Sequence, residues 1–295
     1  MGAPPVNKME IILIIINSVI ASAAYGLLAL GFNLIYGATK FFNFAHGASA
    51  VIGGYIFLWL SQVLETNLFF CVFAAVAVTG FVGWLTDRFI YRSLRRKKAS
   101  NMVFLVASLG ILVAFQSLVA IIFKNQFRSL DSDVVTPTVT IYGYGITQVQ
   151  LAMVVSMSLI MIGLWLFLQI TTFGKAVRAI SDDEEMAKMV GIDTDRIIGQ
   201  LFFIGSAIAG WTGILIGFDT GLEPGMGLRL LLKGVIASII GGVGNIYGGV
   251  VGAFMLGFIE NFGIWKFSGE WKDAIAFSVL IIFLIFRPQG IFKNL

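Results

Sequence analysis

Apolar runs long enough to cross a bilayer recur along the whole chain, and they constrain its fold more than any other feature. They fall at about 9–37, 46–63, 67–86, 101–123, 148–170, 196–218, 229–242, 247–263 and 273–286. A hydrocarbon core about 30 Å thick requires roughly 20 apolar residues of a helix. Helices and closed barrels alone satisfy every backbone amide in lipid, and runs of this length specify helices. The expected fold is all-α: a polytopic integral membrane protein of about eight transmembrane helices with glycine-broken or re-entrant segments, in one transmembrane domain over 1–295. With 58% hydrophobic and 12% charged residues, no stretch remains for a soluble catalytic domain. The first run, from about Met9 to Tyr36, is too long for a signal-peptide core and lacks a small-residue cleavage pattern, so it reads as a retained span. A single cysteine, Cys71, excludes an intrachain disulfide framework and a cysteine metal cluster.

Charge sets the orientation. The loop DRFIYRSLRRKK (87–98) carries Arg88, Arg92, Arg95, Arg96, Lys97 and Lys98, and short basic loops are retained on the cytoplasmic side. Counting from it places the N-terminus and the 124–147 loop outside, and the 171–195 loop and the C-terminal FRPQG inside. The net charge of +4, clustered in this way, fits membrane topology better than nucleic-acid binding. The outer loop is rich in Thr, Gly and alternating β-branched residues and reads equally as a small hairpin or an ordinary connector.

Two apolar regions are interrupted, one in each half: GFNLIYGATKFFNFAHGASAVIGGYI (31–56) and KGVIASIIGGVGNIYGGVVGAFMLGFI (233–259). Glycine-broken segments in corresponding halves point to a transport pathway at a repeat interface. Setting Asn43 against Asn245 also aligns Gly47 with Gly249, which a repeat or mere glycine richness explains. Candidate pathway residues are Asn33 and Tyr36, one helical turn apart, with Asn43, His46, Asn245 and Glu260. Asn43 and His46 are expected to hydrogen-bond the backbone freed where one helix ends and the next begins, while Gly47 permits close packing. Substrate contact and pH sensing are the other readings of His46. Lys40, Lys233 and Glu260 are ionisable groups within or near spans, where a charge costs roughly 2.5–3.5 kcal/mol, so each needs a buried partner or a wet cavity. Glu260 reads as a pathway group or as an interfacial residue beside Asn261.

The loop TTFGKAVRAISDDEEMAKMVGIDTDR (171–196) is a long charged insertion with helix punctuation. Ser181 and Glu184 have capping-box spacing, Asp182 and Asp183 suit the positive end of a helix dipole, Lys188 falls in the last turn and Gly191 ends the helix, with Ile192 closing the contact. A helix over about 182–190 is expected, with Met186, Met189 and Val190 as its apolar edge. It is a solvated connector or, as the favoured reading, a docking helix for a soluble motor protein.

Three collinear blocks, LGFNLIYGATKFFNFAHGASAVIGGYI, TTFGKAVRAISDDEEMAKMVGID and IIGGVGNIYGGVVGAFMLGFIE, resemble the permease subunits of bacterial high-affinity branched-chain amino acid ABC importers of the LivH type. The resemblance covers nearly the whole chain, with departures at Thr39, Lys40 and the Phe41–Phe42 pair. It implies a cytoplasmic-membrane permease that moves branched-chain or other neutral amino acids by alternating access. The implied partners are a second, LivM-like permease or another copy of this chain, two cytoplasmic ATPases, a substrate-binding protein and the lipid bilayer. It further implies that Gly174, Lys175, Arg178, Ser181, Asp182, Glu184, Glu185, Met186, Met189 and Gly191 couple to the ATPase. Related permeases carry urea or short amides, which leaves that substrate as an alternative; an ion-coupled secondary transporter and a channel are rivals from other classes. The Gly174–Lys175 and Lys233–Gly234 pairs lack the context of a phosphate-binding loop, so ATP is expected to be used by partner subunits. No cofactor, catalytic residue or metal ligand is expected, since one His and one Cys assemble neither a zinc site nor a nucleophile with its base.

Overall fold

The computed structural model describes residues 8–64, 67–130, 138–141 and 144–292. Among them, nine apolar helices form a bundle: α1 (Lys8–Thr39), α2 (Ala45–Leu64), α3 (Leu68–Thr86), then, past a short α4 (Arg92–Arg96), α5 (Asn101–Phe123) and α6 (Gln148–Ile170). Two short helices, α7 (Thr172–Asp182) and α8 (Glu184–Met189), lead into α9 (Thr194–Asp219), α10 (Met226–Gly241), α11 (Ile246–Lys266) and α12 (Lys272–Phe286). Six of these helices are long and apolar enough to cross a membrane on their own.

Helices α10 and α12, of 16 and 15 residues, are about 24 and 22 Å long, short of a full bilayer. Tertiary contacts fix where α10 begins and ends. It follows Leu222, whose backbone pairs with that of Arg128 beyond α5, and it stops beside Gly37 at the far end of α1. The segment from 226 to 266 therefore runs along the bundle to the level of Gly37 and back. One end of the bundle gathers 40–44, 87–100, 171–193, 242–245 and 287–292, and is called the basic end below. The described residues 124–130 and 144–147 lie at the opposite end with 220–225 and 267–271.

Helices α1 and α9 form the centre. Helix α1 packs chiefly on α11, and α9 on α2 and α3. Glycine makes these crossings close: a Cβ on Gly53 of α2 would strike the Gly210 backbone of α9, and one on Gly210 would press on Thr79 of α3, the arrangement by which helices in lipid gain dispersion contact without a hydrophobic driving force. Large apolar side chains such as Phe69, Phe73 and Ile121 point outward and are exposed, as lipid-facing groups should be.

The 87–98 stretch departs from its reading as a loop. Helix α3 continues through a π-helical turn, Asp87–Tyr91, into α4. Buried Asp87 takes Arg95 at 2.6 Å, and Asp195, at the start of α9, draws Arg92 to 2.7 Å and Arg95 and Arg96 to 3.5 Å. Neutralising these charges across two helices keeps the basic segment helical. The hairpin reading of the other connector holds: Thr138–Ile141 pairs antiparallel with Tyr144–Thr147, and Thr147 then caps α6 in a capping box with Gln150. Its residues 131–137 and 142–143 lie outside the described residues.

Candidate functional site: two helix breaks beneath a capped loop

The first break, 40–44, starts with Lys40 in the left-handed region at φ 56, which ends α1. Partial burial lowers the basicity of its ammonium, opposed by nearby Asp182. Buried Asn43 accepts from the Ala45 amide at 3.1 Å and from the Tyr91 hydroxyl at 2.8 Å, so it caps the first turn of α2 and fastens it to the extension of α3. The expectation for Asn43 holds, and that for His46 does not. The His46 ring, 1% exposed, lies over Gly31 of α1 with its edge toward Phe32 at 6.4 Å, turned away from the freed amides of the break. The Leu28 carbonyl is close to the ring but outside normal hydrogen-bond geometry. Gly47 fits against the Gly227 carbonyl, the close approach its sequence position suggested.

The second break, 242–245, is capped by Asn245, which accepts from the Gly248 amide at 3.0 Å. Fully buried Asn33 reaches it from α1 and accepts from the Gly244 amide at 2.9 Å. The residues expected to share a pathway face thus part company. Asn33 turns to α11, whereas half-buried Tyr36 stacks with Phe32 at 6.0 Å and meets Phe42 at 5.2 Å on a separate aromatic face. Both breaks carry an asparagine cap at the basic end, but their geometry differs. Helix α2 leaves α1 to lie on α9, while α10 and α11 fold back closely because neither Gly241 nor Gly248 has a Cβ.

Glu260 is completely buried, far along α11 from the second break, and is fully partnered. It accepts from Lys233 at 2.6 Å and from the Tyr25 hydroxyl at 2.7 Å, and Lys233 also meets Asp273 at 2.8 Å. The cluster joins α1, α10, α11 and α12, and corrects the interfacial reading of Glu260 beside Asn261: two charges are retained among the helices because each has its counter-ion.

The 171–193 segment differs from its reading in register. It holds two helices, and Ser181 lies inside the first, so no capping box with Glu184 forms. Asp183 is the cap instead, accepting from Glu185 and Met186 amides at 2.8 and 3.0 Å, and Asp182 ends α7. Phe173, Val177 and Ile180, spaced four and three apart, carried the missed signal of α7, whose buried face includes Val177 and Ile180. Gly174 sits against the Leu168 backbone with no room for a side chain, Arg178 donates to the Leu168 carbonyl, and Lys175 is exposed. The end of α8 is as expected, with Lys188 in the last turn and Gly191 left-handed at φ 87, and Lys188 also pairs with Glu184 at 2.6 Å.

Two features of this segment bear on function. The Ser181 hydroxyl donates to the Gly37 carbonyl at 2.8 Å, at the end of α1 where both breaks meet. Beyond it, Met186, Met189 and Val190 are 60%, 77% and 76% exposed on α8, beside exposed Glu185. The apolar edge thus stands clear of the bundle on the helix that follows α7, whose Ser181 is bonded to Gly37 beside the two breaks.

The family described as the branched-chain amino acid transport system permease component matches residues 14–284, and the chain belongs to it. It is 32% identical over 290 residues to the high-affinity branched-chain amino acid transport system permease protein BraD of Pseudomonas aeruginosa, covering 94% of each chain. It is 30% identical over 288 residues to LivH, the corresponding permease of Escherichia coli, covering 93% of each. Among solved structures, PsaBC from Streptococcus pneumoniae in complex with Fab shares the fold, with a TM-score of 0.51 and 13% identity over 92% of this chain and 91% of that one.

Proposed function

We propose that this permease moves branched-chain or other neutral amino acids inward across the bacterial cytoplasmic membrane by alternating access. ATP hydrolysis on two cytoplasmic ATPases drives it, a binding protein delivers substrate at the opposite end, and a second, LivM-like permease completes the membrane part. The observation that carries the coupling is the exposed edge Met186, Met189 and Val190 on a helix fastened through α7 to Gly37. A motor biases a two-state permease only by binding its states with different affinity, which requires a stiff connection to the moving helices. The basic end is the cytoplasmic face in this reading, with the N-terminus outside, in accord with its arginines and lysines.

The test replaces Met186 and Met189 together by Asp and follows membrane insertion, ATPase association and ATP-driven leucine uptake in vesicles carrying all subunits. Both side chains are exposed, so insertion should remain normal while association and uptake fall at least tenfold, the effect of losing roughly 1.4 kcal/mol of contact. Unchanged uptake by the variant, or ATP-independent uptake by this chain without ATPases, would overturn the coupling role.

A further inference from the structure

We propose that a groove between α3, α6 and α9 near the basic end is a binding site for an anionic glycerophospholipid of the phosphatidylglycerol type. The groove holds about 610 Å³ and is walled by Phe81, Trp84, Phe167, Phe173 and Phe203 with Gln200. It adjoins a polar cavity of about 380 Å³ that shares Trp84 and Gln200 and carries Arg88, Arg92 and Arg196 together with Asp87, Asp193 and Asp195. An aromatic slot continuing into a rim with two arginines free of ion pairs has the two chemistries of a phospholipid in the order it presents them.

The charges at the rim are not equivalent. Asp87 is engaged by Arg95 at 2.6 Å and Asp195 by Arg92 at 2.7 Å. Asp193 spends a carboxylate oxygen on the Arg196 amide at 3.1 Å as the cap of α9. Neither the Arg88 nor the Arg196 guanidinium forms an ion pair among the described residues. Arg88 is held over the Trp84 ring, 5.2 Å from its centroid, at the junction of groove and rim. Gly199 helps to line the polar cavity, and a Cβ there would press on the Trp84 ring at 3.2 Å. Two guanidinium groups outside any ion pair leave the rim positive beside Asp193 and suit an anionic headgroup, and the slot suits acyl chains; a soluble anion uses only the first, and an uncharged lipid only the second. Basic pockets between transmembrane helices are a recurrent way of holding anionic headgroups.

The experiment is native mass spectrometry of the intact transporter complex in mild detergent, with equal amounts of phosphatidylglycerol and phosphatidylethanolamine added. The wild type should retain phosphatidylglycerol in preference. Replacing both Arg88 and Arg196 by Gln should reduce that preference roughly 30-fold, the equivalent of two surface charges. Gln200→Trp, which fills the shared wall and keeps both arginines, should reduce retention of either lipid. All three positions are exposed, so each variant should assemble. Equal retention of the two lipids by the wild type would overturn the proposal, as would undiminished preference in the double arginine variant. So would a photo-crosslinker at Phe203 that captures another subunit and not lipid.

Discussion

At the scale of single residues, buried polar groups in this permease act through their partners. Asn43, Asn245 and Asn33 each spend a side-chain oxygen on a backbone amide at a helix break, where lipid could not replace it. Glu260 shows what removal of one partner does. Glu260→Gln keeps the shape but leaves the Lys233 ammonium with Asp273 as its sole counter-ion, and breaking a buried pair in this way costs roughly 3 kcal/mol. The expected outcome is a lower unfolding temperature in detergent with the apparent affinity for leucine unchanged per folded molecule. A large shift in affinity with unaltered stability would place Glu260 on the transport route instead.

At the scale of elements, the proposed coupling treats α7 and α8 as a lever with separate ends. Helix α7 is anchored by its buried Val177 and Ile180 and by Ser181 on Gly37, while α8 presents its apolar edge outward. The direction of α8 depends on how it stops. Nothing lies within 4 Å of a Cβ placed on Gly191, so Gly191→Val meets no clash and its cost is confined to the left-handed backbone, roughly 1–2 kcal/mol. That cost falls on the last turn alone. The variant should insert normally and lose only a few degrees of thermal stability, yet bind the ATPases less tightly and lose most ATP-driven uptake. Full uptake would mean that the termination of α8 has no part in coupling.

At the scale of the whole molecule, the predictions on ATPase coupling and on lipid depend on which end faces the cytoplasm. Lys97 lies at the basic end, and Ser132, outside the described residues, belongs to the connector that leaves from the opposite one. In a background lacking Cys71, a cysteine at Lys97 should react with an impermeant thiol reagent only from the cytoplasmic side, and one at Ser132 only from outside. The reverse labelling pattern would remove the ATPase from α8 and the anionic lipid from the cytoplasmic leaflet together.

The sequence by itself determined what depends on local chemistry. Continuous apolar length defined α1, α3, α5, α6 and α9, and the backbone needs of a helix in lipid left few alternatives. The glycines around 241–249 marked the second break, and Gly191 marked the end of α8, because each conformation belongs to the residue itself. Tertiary structure decided what depends on a distant partner. The Ser181 hydroxyl has a capping spacing to Glu184, yet Gly37, far away in sequence, takes it, and Asp183 caps in its stead. His46 stands at a break, but the bare backbone of Gly31 gives its ring a packed site inside the bundle. A run of arginines reads as a loop until Asp87 and Asp195 hold it in a helix. Sequence spacing records which bonds a residue is able to make, and only the packing of helices far apart in the chain selects among them.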